Sequence, residues 1–144
     1  MNKIAVTVYG NPIAKKRPRF ARRGKFVTTY NPHETEEGRF MINFHNAAHI
    51  EKPFAGPLDI ECVFFFERPA SHYGTGKNKD VLKDSSPSPS MHTKKPDIDN
   101  LLKFVFDSLN GYAWVDDAQI KQVISSKHYT CKGEARTLIY IREA

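Results

Sequence analysis

The sequence predicts a single α+β domain, with a small mixed β-sheet and helices packed on one face. The chain has 144 residues, the length of one domain, and no linker divides it. Strand patterns lie near both ends, and two helical patterns lie between them. These segments do not follow the regular strand-helix alternation of a parallel α/β sheet. We therefore expect one fold with one hydrophobic core over residues 1–144.

The first half of the chain predicts a strand, a hairpin and a helix. Residues 3–9 alternate in character and are rich in β-branched side chains, as strands are. Residues 15–25 form the most basic run, and a turn at Arg23-Gly24 would make this run a hairpin. Residues 33–50 have apolar side chains at helical spacing and glutamates in the first turns, where the helix dipole favours negative charge.

The second half predicts three strands and a long loop around a further helix. Residues 58–66 are so apolar that we expect them to be central in the sheet. Residues 69–95 contain glycines, lysines and a Ser-Ser-Pro-Ser-Pro-Ser run with little to bury, which predicts a long basic loop. Residues 120–129 and 137–141 have strand patterns separated by a short turn, and we predict that they form an antiparallel pair.

The stretch between residues 94 and 119 combines an amphipathic helix with several carboxylates. Apolar residues recur at i, i+3, i+4, i+7 and i+11 from Ile98 to Leu109, which predicts a helix that ends before Gly111. Polar residues at the start of this helix, on its exposed ridge and in the turn beyond it are the candidates for chemistry. They are Asp97, Asp99, Lys103, Asp116 and Asp117.

Carboxylates that are packed together repel each other unless they share a proton or a cation. Mg²⁺ prefers hard oxygen ligands and is typically held by one or two carboxylates together with substrate phosphates. The chain carries 22 Lys and Arg against 16 Asp and Glu, a net charge of +6, so it would attract a polyanion. A metal ion between carboxylate and phosphate would convert their repulsion into coordination. The pattern therefore predicts metal-assisted phosphodiester chemistry.

A structural interpretation of the same residues is simpler. Asp97 or Asp99 alone is a natural helix cap, and Asp116-Asp117 alone is a common turn. Lys103 would then be half of an ion pair one turn away, a contribution of only about 0.2–0.5 kcal/mol. The combination is more specific than its parts, because Pro-Asp-Ile-Asp-Asn-Leu-Leu-Lys is followed by a helix of set length, Gly, an aromatic pair and Asp-Asp-Ala-Gln. That combination favours a functional site.

This combination, over residues 95–127, resembles the signature of the RusA family of Holliday-junction resolvases, and the earlier Lys-Lys-Arg-Pro-Arg resembles that family's basic motif. The resemblance implies a small endodeoxyribonuclease of RusA-like fold, common on prophages, that acts as a homodimer on four-way junctions with Mg²⁺, or Mn²⁺ as a substitute. The catalytic residues that it implies are Asp97, Asp99, Asp117 and Lys103, of which the three aspartates are also the metal ligands. It gives Asp116 and Asn100 supporting roles.

Basic residues near both motifs predict contacts with DNA. A basic run is often only a solvated loop, but an acidic metal site elsewhere in the chain favours phosphate contact. The predicted DNA-binding residues are Lys15, Lys16, Arg17, Arg19, Arg22, Arg23, Lys94 and Lys95. We also hypothesise that the loop at 69–95 is a mobile flap that orders on DNA, with a merely flexible insertion as the alternative.

The carboxylate pattern predicts metal-dependent hydrolysis of phosphodiester bonds, and the resemblance implies that the substrate is a Holliday junction, cut with Mg²⁺ during DNA recombination or repair. Two alternatives remain open. A non-catalytic DNA-binding module would be unaffected by Asp99→Asn, and a nuclease for other branched or flap DNA would cut junctions and linear DNA comparably.

Localisation and further partners follow from what the chain lacks. No signal-peptide pattern opens the sequence, and no apolar run reaches the about 18 residues of a membrane span. We therefore expect a cytoplasmic protein with no membrane partner and no organic cofactor. Cys62 and Cys131 are isolated in the sequence and do not suggest a disulfide framework.

Overall fold

The computed structural model describes residues 2–16, 19–23, 26–30 and 34–144, with side chains described for 2–16 and 36–144. Its main elements are β1 (Lys3–Tyr9), β2 (Arg19–Arg23), β3 (Phe26–Tyr30), α1 (Glu34–Ala48), β4 (Leu58–Glu67), α2 (Ile98–Leu109), β5 (Ile120–Thr130) and β6 (Arg136–Glu143). Short 3₁₀ helices lie at Ala70–His72, Gly76–Asn78 and Asp117–Gln119. Within the described ranges, no helix is long and apolar enough to cross a membrane.

Four strands form one mixed sheet in the order β1-β6-β4-β5. β6 is antiparallel to both β1 and β4, whereas β5 is parallel to β4. β2 and β3 form a separate antiparallel hairpin, whose predicted turn includes Gly24, a residue outside the described ranges. The predicted α+β class, the mixed sheet and the central position of the apolar strand are confirmed.

The predicted antiparallel pairing of the last two strands is wrong. β4 lies between β5 and β6 and pairs with both of them. The connection at residues 131–135 is short enough for a hairpin, but it passes the end of β4, where the Gly133 amide donates to the Glu67 carboxylate. Strand β4 is rich in apolar side chains, and an interior position pairs the backbone groups on both of its edges. This tertiary preference overrides the local turn.

The core lies between one face of the sheet and the two helices. Alternate residues of β4 point into it and are at most 2% exposed, namely Leu58, Ile60, Cys62 and Phe64. The same cluster includes Val6, Val8, Ile139 and Ile141 from β1 and β6, Phe44 from α1, and Leu101, Val105 and Leu109 from α2. Helices packed on one face of the sheet, as predicted, therefore supply the cover for these strands.

Truncation of the central strand should be costly. Phe64 is 1% exposed in the middle of this core, so Phe64→Ala is expected to lower the free energy of unfolding by about 3–5 kcal/mol. Urea denaturation would measure the loss. Val81→Ala, at a side chain that is 56% exposed, is the control and should change stability by less than about 0.5 kcal/mol. A loss below about 1 kcal/mol for Phe64→Ala would contradict the described core.

Helix α2 begins and ends where the sequence predicts. Its buried residues are Leu101, Phe104, Val105, Ser108 and Leu109, which form one face of the helix. Gly111 follows the helix with φ +83°, a backbone conformation that glycine adopts without steric cost. The chain reverses there and brings the next acidic segment back beside the helix.

The long loop before α2 is held by hydrogen bonds among its own and adjoining residues and by contact with the edge strand β5. The Arg68 guanidinium donates to the carbonyl of Pro87 at 2.7 Å, and the Ser86 hydroxyl donates to the carbonyl of His72 at 2.6 Å. The Tyr129 amide of β5 donates to the carbonyl of Pro89 at 2.9 Å. The predicted loop is therefore present and attached to the sheet, while its mobility and its ordering on DNA stay predictions.

Candidate functional site

The two aspartates of the Asp-x-Asp motif lie at the start of α2 with exposed side chains. Asp97 occupies the N-cap position, but its carboxylate makes no capping hydrogen bond to the helix. Asp99 lies in the first turn, where its Oδ1 accepts a hydrogen bond from the Asn100 amide at 3.0 Å. Helix capping through a side-chain hydrogen bond therefore does not explain Asp97.

Lys103 and Asn100 are exposed on the same part of α2. Lys103 follows Asp99 by one turn, so the two side chains are neighbours on one ridge, with Cβ atoms about 5–6 Å apart. The carbonyl of Asn100 accepts a hydrogen bond from the Lys15 amide at 2.9 Å. This contact places the start of the basic segment beside the start of α2.

The Asp-Asp pair beyond α2 forms a well-bonded turn. Asp116 caps the 3₁₀ helix, accepting a hydrogen bond from the Ala118 amide at 3.0 Å, while the Gln119 side chain accepts from the Asp116 amide at 2.7 Å. The Gln119 side chain also donates to the carbonyls of Phe54 and Gly56, each at 2.9 Å. Asp116 is therefore committed to holding the turn, which suits the supporting role that the sequence suggests.

Asp117 is half-buried and held by two neighbours. Its Oδ1 accepts a hydrogen bond from the indole nitrogen of Trp114 at 2.7 Å, and its amide donates to the side chain of Asn110 at 3.2 Å. Burial raises the pKa of Asp117, the Trp114 bond opposes this, and the charges of Asp107 and Asp116 raise it further. A cation beside this carboxylate would relieve that cost.

The Lys15 side chain contacts two carboxylates and is largely shielded from solvent. Its ammonium pairs with the carboxylate of Glu37 and lies 3.2 Å from Oδ2 of Asp107, with only 14% of the side chain exposed. Burial tends to lower the pKa of Lys15, but the hydrogen bonds and charges of Glu37 and Asp107 outweigh it and the pKa is raised. Lys15 therefore stays charged and partly neutralises Glu37 and Asp107, the second of which is close enough to affect the pKa of Asp117.

The predicted metal ligands lie on two segments. Asp97 and Asp99 are at the N-terminal end of α2, whereas Asp117 lies beside its C-terminal half, near Asp107 and Asn110. Eight residues of helix separate Asp99 from Asp107, a rise of about 12 Å. Among the residues described, no three His, Cys, Asp or Glu side chains converge closely enough to hold one metal ion. The donors are nevertheless carboxylate oxygens, the type that Mg²⁺ prefers.

The remaining predicted basic residues are only partly described. Lys16, Lys94 and Lys95 are exposed, the last two just before Pro96 and Asp97. Arg17 lies outside the described residues, as do the side chains of Arg19, Arg22 and Arg23 in the hairpin. The backbone of β2 and β3 shows that this basic segment is a hairpin.

Comparison with known proteins decides the family. The sequence model of the family described as endodeoxyribonuclease RusA matches residues 9–142, almost the whole chain. The chain belongs to this family. It is also 31% identical over 144 residues to a Bacillus subtilis (strain 168) protein named "Uncharacterized protein YqaN", covering 99% of this chain and 98% of that protein.

Membership of the RusA family supports an endodeoxyribonuclease that acts on branched DNA and uses a divalent metal ion. The match begins at the last residue of β1 and spans the basic hairpin, both acidic segments, β4, β5 and almost all of β6. The fold described above is therefore that of a RusA-family protein.

Trp114 contacts the candidate site, although the sequence pattern did not single it out. It is fully buried, and a buried indole N–H needs an acceptor, which Asp117 supplies. Its position three residues before Asp117 was the available signal. This hydrogen bond therefore orients the Asp117 carboxylate.

Loss of that hydrogen bond should weaken a metal site at Asp117. Trp114→Phe keeps a buried ring and removes the donor, and we expect about 10–100-fold slower metal-dependent DNA cleavage, the usual cost of losing a group that orients a metal ligand. The control is Phe106→Leu, which alters a ring 5.9 Å from the Trp114 ring but keeps the hydrogen bond. Equal rates for Trp114→Phe and wild type would show that the bond has no role in catalysis.

Proposed function

We propose that this RusA-family protein is a Mg²⁺-dependent Holliday-junction resolvase that cuts paired phosphodiester bonds in cytoplasmic DNA recombination or repair. The observation that carries the proposal is the exposed Asp97–Asp99 pair, with Asp97 uncommitted to capping, in a chain matched to the family from residue 9 to residue 142. The half-buried Asp117, whose pKa is raised by burial and by neighbouring carboxylates, supports a cation nearby.

Asp97, Asp99 and Asp117 would hold the divalent ion or ions, with Mn²⁺ able to replace Mg²⁺. A bound ion of this kind supplies neutralisation of charge on the scissile phosphate and a lower pKa for an attacking water. In hydrolysis, water adds to phosphorus in line with the departing sugar oxygen, the phosphorus–oxygen bond breaks, and the departing oxygen gains a proton. Lys103 is proposed to donate to the phosphate or to that departing oxygen from its place one turn after Asp99.

Basic side chains would hold the DNA backbone around this site. Lys94 and Lys95 are exposed and directly precede the motif in the chain, which supports phosphate contact there. The other proposed contacts are Lys15, Lys16, Arg17, Arg19, Arg22 and Arg23. Lys15 would contribute mainly by balancing charge, because two carboxylates already surround its ammonium.

A homodimer is part of the proposal. Resolution of a four-way junction requires two cuts in opposed strands, and a two-fold symmetric dimer provides two equivalent sites.

The test compares a synthetic four-way junction, a flap and a linear duplex of the same sequence, each in Mg²⁺, Mn²⁺ and EDTA. We expect symmetric paired nicks in the junction only, in either metal and not in EDTA. Comparable cutting of the flap or the duplex would replace the resolvase with a nuclease of broader substrate range. Junction binding without cutting in either metal would leave a DNA-binding module.

A further inference from the structure

Lys127 of β5 lies behind the segment that delivers Asp97. Its ammonium donates to the carbonyl of Lys94 at 2.7 Å and to the carbonyl of Pro96 at 2.9 Å. Lys95 lies between these two residues, and Pro96 is followed directly by Asp97. One side chain therefore ties the approach to the Asp-x-Asp motif to the sheet at two points.

A lysine ammonium can hold both carbonyls at once. Lysine has three donors and no acceptor, and hydrogen bonds from a charged donor are stronger than those between neutral groups. The segment at residues 94–96 forms few backbone hydrogen bonds of its own. Pro96 lacks an N–H group, and the residues before it lie outside helix and strand. The half-buried Lys127 side chain is thus the main polar link between this segment and β5.

His92 provides a second, apolar attachment of the same segment. Its ring packs 4.7 Å from the Phe66 ring and 4.4 Å from the Tyr129 ring, centroid to centroid, and the residue is 8% exposed. Burial lowers the pKa of His92, and the charge of nearby Lys127 lowers it further. A neutral His92 can therefore lie beside the Lys127 ammonium without a second buried charge.

Among the described residues, Asp97 is held through its backbone. Its carboxylate makes no capping hydrogen bond, although its carbonyl accepts a hydrogen bond from the Leu101 amide at 3.2 Å. The direction in which the carboxylate points thus depends on how the chain enters α2 through Pro96. Lys127 controls that entry by bonding the Pro96 carbonyl.

We propose that Lys127 is a positioning residue of the nuclease site, which fixes the chain at Pro96 and so sets the affinity of the Asp97 carboxylate for the divalent ion. This inference rests on the proposed function, because it assigns metal binding to Asp97. Residues that orient a metal ligand from behind commonly change metal affinity about 10–100-fold when they are replaced.

The test measures Mn²⁺ binding calorimetrically and, separately, the Mg²⁺ concentration that gives half-maximal junction cleavage. Lys127→Met removes the ammonium while keeping most of the side-chain volume. We expect it to bind Mn²⁺ about 10–100-fold more weakly and to need correspondingly more Mg²⁺, with cleavage recovering at high Mg²⁺. Lys127→Gln, which keeps an amide donor for the same carbonyls, should fall between Lys127→Met and wild type.

Two further variants complete the design. Lys121→Met removes a second lysine from β5, one that pairs with Asp59 at 2.6 Å, and should leave both metal measurements unchanged. Asp97→Asn identifies the binding event by removing a proposed ligand. If Lys127→Met does not fold, as judged by circular dichroism, the comparison of Lys127→Gln with wild type decides.

The outcomes separate this inference from the proposed function. Wild-type Mn²⁺ affinity in a folded Lys127→Met or Lys127→Gln protein overturns the positioning role, even if cleavage falls uniformly at every Mg²⁺ concentration. A wild-type protein that binds Mn²⁺ through Asp97 but cuts no junction overturns the proposed function instead. Weaker Mn²⁺ binding in Lys127→Met would then still support the role of Lys127 in positioning Asp97.

Discussion

Asp99→Asn is expected to slow junction cleavage by about 10³-fold, because a metal ligand contributes several kcal/mol to stabilising the reacting phosphate, and each 1.4 kcal/mol is about tenfold in rate. The substitution should leave the fold intact. Asp99 is exposed, and the oxygen of an asparagine can still accept the hydrogen bond from the Asn100 amide. Single-turnover cleavage of a labelled junction in Mg²⁺ measures the effect.

The matched control for Asp99→Asn is Asp80→Asn. Asp80 is an exposed aspartate of the long loop, 3.8 Å from the Lys132 ammonium, in an ion pair too exposed to matter greatly. Both variants remove one negative charge, so both should bind the junction in EDTA at least as well as wild type. If the two variants cut at the same rate, Asp99 is a surface aspartate and the proposed site is wrong.

Asp117→Asn should have opposite effects on activity and on stability. Cleavage is expected to fall by about 10³-fold, as for any direct metal ligand. The metal-free protein, in contrast, should be at least as stable as wild type at neutral pH. An asparagine keeps an oxygen that can accept the hydrogen bond from the Trp114 indole. It also removes a carboxyl group whose ionisation is disfavoured by burial and by the neighbouring carboxylates.

The sign of the pH dependence follows from the raised pKa of Asp117. A carboxyl group whose pKa is higher in the folded protein than its ordinary 3.8 contributes stability below that value and loses it as the pH rises through the raised pKa. The stability difference between Asp117→Asn and wild type should therefore grow as the pH rises above the ordinary 3.8 and level off above the raised pKa. Thermal melting in EDTA across this range would measure it. A variant that becomes less stable relative to wild type as the pH rises would contradict the assigned shift.

The sequence predicted best where local pattern and tertiary structure agree. α2 was predicted with its observed bounds because an apolar stripe, Pro96 and Gly111 all specify the same helix. The pairing of β5 failed because a short turn suggests a hairpin, whereas the sheet places the apolar strand β4 between the last two strands. Competition between strands for the interior of a sheet cannot be read from the turn alone.

In the candidate site, too, local features were predicted and long-range contacts were not. The Asp-x-Asp motif and the Asp-Asp turn were found because each is continuous in the sequence. The contact of Lys15 with Glu37 and Asp107, and that of Lys127 with Pro96, join residues 22 to 92 positions apart and depend on the folded chain. The sequence spacing suggested only that the chain returns toward the helix after Gly111. Only the structure shows that Asp99 lies at the N-terminal end of α2 and Asp117 beside its C-terminal end.

The most direct test of the account is an anomalous-scattering map of Mn²⁺ in crystals of the protein with a four-way junction. We expect Mn²⁺ at the scissile phosphate with oxygen ligands from Asp97 and Asp99 at about 2.1 Å, and Mn²⁺ bound as well at Asp117. The proposed site is contradicted if the junction is bound and Mn²⁺ is absent from all three aspartates, or lies only at Glu37 and Asp107.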